Sequence, residues 1–216
     1  MKRDDSLYKR SYFSNIVQMG ELVPDAFRSF MAFDRAALAP GRLSAKTKEL
    51  IAIAIAHITG CPYCIEVHVE GGREKGVTKE EMGEAIVVAT ALKAGAALAH
   101  GVNALNAYEG NGDDELYRSS YFKRLAEFDI IAPDGFTAFV AFDKAALDAG
   151  VIGRREKELI AVACAHATGC PYCIELHTKA AKREGIDAAE LAEAIMVAAA
   201  LKAGAALAHS VNALRV

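Results

Sequence analysis

Near the start of the chain, apolar positions recur every three or four residues: Phe27, Phe30 and Met31 share one face of a segment opened by Pro24 and Asp25. That is the period of an amphipathic helix, and proline suits a helix's first turn. The next segment is apolar nearly all round. Ser44 can cap it, polar helix formers lead in, and Gly60 stands where helices commonly end. Inside it, Ile51-Ala-Ile-Ala-Ile55 alternates with period two, which is a strand signal. The Ala-rich composition outweighs that signal, and the matching stretch later in the chain softens it to Ile160-Ala-Val-Ala-Cys164. A helix without a polar face is a buried helix. Pro62 opens a third helix that runs toward Gly76, and Thr78-x-x-Glu81 is a capping box for a fourth that continues to about Thr90. Gly95 marks a break before a last helix ending near Leu105. The pattern predicts an all-α fold.

Shifted by 109 positions, the whole pattern repeats without a gap. LYKRSYFSNI at Leu7 matches LYRSSYFKRL at Leu116, and ALKAGAALAH recurs unchanged at Ala91 and Ala200. Residues 1–108 and 116–216 are therefore two copies of one helical unit, joined by a polar, Gly-rich linker over 109–115. A unit of about 100 residues is an ordinary domain size, and the period is far too long for a solenoid.

Composition narrows the function classes. A net charge of -3 and a pI near 6.1 give no support for nucleic-acid binding, which favours a basic patch. Asp4 and Asp5 follow Met1-Lys2-Arg3 where a signal peptide would turn apolar, and the longest uncharged run, Leu50 to Ile65, is interrupted and too short to span a bilayer. The expectation is a cytoplasmic protein without membrane or nucleic-acid partners. There thiols stay reduced, so a C-x-x-C pair points to catalysis or metal binding rather than to a structural staple.

The octapeptide TGCPYCIE occurs at Thr59 and again at Thr168. With the helix starting at Pro62, Cys61, Cys64 and His68 fall along one face, a turn apart. Thiols at a helix N-terminus are acidified by unpaired N–H groups and the macrodipole. An imidazole one turn on can take or stabilise a proton, and a sulfenic acid on one sulfur would condense with the other. The spacing favours Cys64, next to His68, as the attacking sulfur and Cys61 as the resolving one. Cys173, Cys170 and His177 repeat the set. Zinc is the competing use of the same groups, with Cys61, Cys64, His68 and either Glu49 or His57 as four ligands.

Glu49, then Cys61-x-x-Cys64-x-x-x-His68, echoed by Glu158, Cys170, Cys173 and His177, resembles the alkylhydroperoxidase D-like branch of the carboxymuconolactone decarboxylase superfamily. The resemblance spans most of both units. It implies an all-helical fold and a cofactor-free peroxidase in which the second cysteine attacks a hydroperoxide and the first closes a disulfide. Glu and His serve the proton relay, and an external dithiol or thiol protein restores the pair. Members often assemble with threefold symmetry from pairs of units, so a chain holding two units implies a homotrimer. In the best-characterised peroxidases a His precedes the second cysteine; here Tyr63 and Tyr172 stand there. Tyrosine, with a pKa near 10, accepts protons poorly at neutral pH. That leaves Glu49 working through water, His57 substituting, or weak turnover. A zinc-binding or redox-sensing module and a decarboxylase acting on a lactone acid are the alternatives; decarboxylase members do not depend on a C-x-x-C pair.

The remaining repeated residues have plainer readings. Tyr63 and Tyr172 pack against the thiols, and Lys93 and Lys202, in Ala-rich helices, snorkel from buried stems. His57 and His166 suit a helix C-terminus. His100 and His209 read as structural, Cys164 as a small apolar core residue, and Phe27, Phe30 and Phe33 as core or interface.

Overall fold

The computed structural model describes residues 6–110 and 114–214. Residues 1–5, and the centre of the expected linker at 111–113, lie outside the described residues. A 3-10 segment, Arg10–Ile16, leads into α1 (Val17–Leu22), α2 (Pro24–Leu38), α3 (Ala45–Thr59), α4 (Pro62–Glu74) and α5 (Lys79–Glu109). A second 3-10 segment, Ser119–Glu127, then leads into α6 (Phe128–Ile131), α7 (Pro133–Leu147), α8 (Arg154–Thr168), α9 (Pro171–Arg183) and α10 (Ala188–Ala213). The described residues contain no strand.

The caps fall where the sequence places them. Ser44 accepts the N–H of Thr47 at 3.0 Å, Gly60 ends α3 with φ 70°, and Thr78 and Glu81 form the capping box of α5. Residues 47–56 of α3 are all buried, because α3 packs against α8 while α5 and α10 cover both. Leu50, Ile51, Ile55, Leu159, Ile160 and Val162 fill this centre with Val88 and Val197. Each large side chain so buried contributes about 1.5–3 kcal/mol. With no face of α3 in water, its period-two alternation carries no strand information.

One expectation fails. Gly95 does not break the fourth helix: α5 runs unbroken for 31 residues to Gly110, whose φ of 69° ends it. An interior glycine costs about 0.5–1 kcal/mol relative to Ala, too little to stop a helix that is packed along its length. Gly95 instead lies against the second unit, with room for no more than ordinary contact. A Cβ there would lie 3.4 Å from Phe139 of the second unit, and one at Gly204 would lie 3.5 Å from Phe30 of the first. By length and composition α5 and α10 are apolar enough to cross a membrane; here both pack against α3 and α8.

The long helices are exchanged. α10, from the second unit, lies over α2, α4 and the Arg10–Ile16 segment of the first, and α5 lies over α7, α9 and the Ser119–Glu127 segment of the second. Reciprocal ion pairs fix the exchange. Buried Lys48 reaches Glu193 at 3.0 Å, and Lys157 reaches Glu84 at 3.1 Å. Glu193 also accepts the N–H groups of Arg42 and Leu43, and Glu84 those of Val151 and Ile152. These carboxylates sit over Gly41 and Gly150, where any side chain would strike them.

Candidate active site

The turn between α3 and α4 builds the thiol pair. Gly60 adopts the left-handed backbone that reverses the chain, and Cys61 becomes the N-cap of α4. Its Sγ accepts the backbone N–H of Cys64 at 3.3 Å; Cys170 accepts that of Cys173 at 3.2 Å. The Cys64 thiol also donates to Cys61, the two sulfurs lying 2.7 Å apart. All five cysteines are free thiols.

This geometry divides the roles of the sulfurs. The hydrogen bond from Cys64 brings the Cys61 thiol down to about 6 against the opposing effect of burial, helped by the backbone N–H groups and by His209. The same bond, together with burial, pushes Cys64 up. Cys170 is likewise lowered to about 6 and Cys173 raised. The negative charge therefore rests on the cap sulfur. Yet Cys61 is fully buried, while Cys64, 8% exposed, is the sulfur that lines a cavity. Acidity and access belong to different sulfurs.

Glu49 and His68 meet as the sequence spacing suggests. His68 Nδ1 lies 2.9 Å from Glu49 Oε2, and His177 Nδ1 lies 3.0 Å from Glu158 Oε2. A carboxylate on Nδ1 fixes the tautomer and leaves Nε2 for other partners. Burial pushes the Glu49 carboxyl up, but the hydrogen bonds from His68 and Lys75 outweigh it and hold Glu49 below the usual carboxylate range. Lys75 Nζ sits 2.5 Å from Glu49 Oε1. The second unit has Glu184 in that place, paired with Arg154 at 3.7 Å.

Each site opens on an apolar cavity. The first, 460 Å³, is lined by Phe13, Phe27, Phe30 and Met31 together with Asp34, Cys64 and His68, and is roofed by Leu201, Gly204 and Ala208 of α10. The second, 170 Å³, is lined by Phe122, Phe136, Phe139, Asp143, Cys173 and His177, under Leu92, Gly95 and Ala99 of α5. Phe27 and Phe30 are thus cavity walls, while Phe33 packs on the core.

Asp34 and Asp143 were not singled out from the sequence. Each is half-buried on the cavity wall, and burial pushes its carboxyl up. A signal existed: both sit in the repeated AFDRAAL/AFDKAAL segment, on the same face as Phe27 and Phe30. His100 and His209 also gain a role beyond the structural one expected, because the helix exchange carries each to the opposite unit's thiols. There His209 favours charge on Cys61, and His100 does so on Cys170. Tyr8 and Tyr117 hold them, with O···Nδ1 distances of 3.2 Å.

Other expected participants stay away. His57 and His166 donate from Nδ1 to Ile53 and Val162 carbonyls at 2.8 Å, and His57 lines a separate cavity with Thr90 and Lys93. His57 therefore does not replace the missing family histidine. Tyr63 stacks on Phe13 and Tyr172 on Phe122, packing against the thiols as expected. Lys93 reaches the Ile58 carbonyl at 3.2 Å, and Cys164 lies in the core, its thiol pushed up by burial. Among the described residues no group of three or more His, Cys, Asp or Glu side chains converges to hold a metal ion.

Comparison with known proteins agrees with the duplication. The profile described as carboxymuconolactone decarboxylase family matches residues 24–107 and again 133–216. The chain is 49% identical over 86 residues to an uncharacterized protein of the cox locus of Paracoccus denitrificans, covering 40% of this chain and 75% of that one. It is 30% identical over 113 residues to an uncharacterized protein of Cupriavidus necator, covering 52% and 82%. Among solved structures, a provisionally named gamma-carboxymuconolactone decarboxylase subunit of Burkholderia xenovorans superposes with a TM-score of 0.67 at 22% identity, over 97% of this chain and 96% of that one, which is likeness of fold.

Proposed function

Starting from the fact that the chain belongs to the carboxymuconolactone decarboxylase family, we propose that it is a thiol-dependent peroxidase with two sites, each cycling between dithiol and disulfide. The observation that carries the reading is the pair of sulfurs 2.7 Å apart, one charged at the helix cap and the other facing an apolar cavity. In the resting pair the proton lies on Cys64 and the charge on Cys61. Transfer of that proton to Cys61 along the hydrogen bond frees the Cys64 thiolate, which is the nucleophilic form. Cys64 attacks the outer oxygen of a hydroperoxide; the O–O bond breaks, the alkoxide takes a proton from solvent and leaves as the alcohol, and Cys64 becomes a sulfenic acid. His68, oriented by Glu49, accepts the Cys61 proton, and Cys61 then displaces hydroxide from Cys64 sulfur. His68 returns the proton and water leaves. One hydroperoxide, the thiol–thiolate pair and one proton from solvent thus give one alcohol, one water and one disulfide, and an external dithiol returns the two electrons. Cys173, Cys170, His177 and Glu158 act in the same roles.

The reading keeps the chemistry in a reducing compartment, where such a dithiol is available. Exposed Leu22, Ile130 and Ile131 suit burial between copies of the chain, in keeping with the homotrimer that the family resemblance implies. The test is titration of reduced protein with an organic hydroperoxide: two thiols lost per equivalent supports the proposal, and an unchanged thiol count overturns it. A second reading, decarboxylation of a small lactone acid, draws on His68 and Asp34, an imidazole and a carboxyl on one cavity wall that could work without the thiols. Replacing Cys64 and Cys173 by Ser separates the two, since decarboxylation would survive and peroxide turnover would not.

A further inference from the structure

The two cavities are unequal although their walls are nearly the same. Phe27, Phe30, Asp34, Leu201 and Gly204 have identical counterparts in Phe136, Phe139, Asp143, Leu92 and Gly95. Substitutions along the walls do not explain why the second is the smaller. Met31 gives way to the smaller Val140, Ile16 and Leu125 are isomers, and only the replacement of Val67 by Leu176 adds bulk.

The packing differs behind the wall, where α6 meets the exchanged helix α5. In the second unit Phe128 stands directly on Gly101 of α5, so close that an added Cβ would lie 2.7 Å from its ring. Phe128 in turn stacks on Phe136, a cavity wall, with centroids 6.5 Å apart. The first unit has Met19 and Ser210 at these positions. A side chain at 210 occupies the space such a ring would need, and α1, which carries Met19, is not clamped by an aromatic pair. The Ser210 hydroxyl is buried without a hydrogen-bond partner among the described residues, a choice that stability alone does not favour over glycine.

We propose that the two sites divide hydroperoxides by size, a proposal that rests on the peroxidase reading. The Cys64 site takes a hydroperoxide carrying a long or bulky apolar group, and the Cys173 site takes hydrogen peroxide or a compact organic one. At 460 Å³ the first cavity is in the range of pockets that enclose whole small molecules, about 300–1,000 Å³. At 170 Å³ the second is close to the roughly 150 Å³ that admits a benzene ring and little more. The step is the same in both: the O–O bond breaks, and one oxygen leaves as alcohol (or as water from hydrogen peroxide). The other leaves the sulfenic acid as water, one proton comes from solvent, and the thiol–thiolate pair becomes a disulfide.

The experiment treats the reduced full chain with less than one equivalent of either linoleic acid hydroperoxide or hydrogen peroxide, then locates the disulfide by peptide mass spectrometry. The expected result with the lipid hydroperoxide is a Cys61–Cys64 disulfide in excess over Cys170–Cys173 by on the order of tenfold or more. With hydrogen peroxide the excess should vanish or reverse. Equal distribution with both oxidants overturns the division by size while leaving the peroxidase reading intact; no disulfide with either overturns that reading itself. A closing variant, M19F/S210G, transfers the aromatic clamp to the first unit. It should cut the lipid-driven oxidation of Cys61–Cys64 without slowing oxidation by hydrogen peroxide, and an unchanged lipid preference in the folded variant counts against the clamp.

Discussion

Replacing Cys64 by Ala removes the S–H donor that lies 2.7 Å from the Cys61 sulfur. That donor leads the causes that take the Cys61 thiol from 9.0 to about 6, a preference for the charged form worth roughly 4 kcal/mol in order of magnitude. The backbone N–H of Cys64 and the imidazole of His209 remain in the variant, so part of the preference survives. Thiolate absorbance near 240 nm, followed against pH, reads the charge without requiring a reagent to reach a buried sulfur. The native chain should show two thiolates rising with midpoints near 6, one per pair, because Cys170 is lowered equally. In the variant one of the two should move up by at least about one pH unit, cutting its thiolate fraction at neutral pH several-fold. Linkage gives a second reading with a fixed sign. A thiol held low in the folded chain adds stability above its unfolded pKa near 9, and that contribution is lost as pH falls through about 6. Native stability should therefore climb between those limits more steeply than the variant's. Native absorbance rising only above pH 8, or a variant curve that overlays the native one, would refute the charge assignment.

Further outcomes follow from neighbouring contacts. Lys75→Met leaves Glu49 with His68 alone; urea unfolding should show a loss of about 1 kcal/mol at pH 7, modest because Lys75 is partly exposed. That loss should shrink as pH falls below the ordinary carboxyl pKa of 4.5, since a lowered carboxyl stabilises only while it is ionised. Glu49→Gln in a background with Cys173 replaced by Ser should slow peroxide turnover by roughly 10²-fold at neutral pH, the scale of a lost acid–base group, with little change in KM. Gly95→Ala has only an ordinary 3.4 Å contact to absorb and should raise thermal stability by about 0.5–1 kcal/mol, measured by calorimetry. A fall of similar size would show that the helix needs its glycine there.

The sequence made the local structure legible because caps and turns are written in adjacent residues. Ser44, Gly60, Pro62 and the Thr78–Glu81 box each act within a few positions, and Glu49, Cys61, Cys64 and His68 are joined by one helix–turn–helix whose geometry follows from those caps. Helix exchange was not legible. Whether Gly95 is a hinge or a groove for Phe139 depends on which unit lies across from it, and nothing near Gly95 in the chain records that. His100 and His209 looked unsupported for the same reason, since the thiols they approach are about 70 residues from the first and over 140 from the second along the chain. The distribution of charge between Cys61 and Cys64 also escaped the spacing: it turns on which sulfur caps the helix and which donates, a difference of one turn.

Because each half is roofed by the other's terminal helix, neither could have been complete alone, and a single-copy ancestor would have had to work as a symmetric pair. In such a pair every substitution lands in both cavities at once, so neither can specialise. Covalent fusion lifts that restriction, which is how α10 can carry Ser210 where α5 carries Gly101 beneath Phe128, within a single permanently mismatched couple.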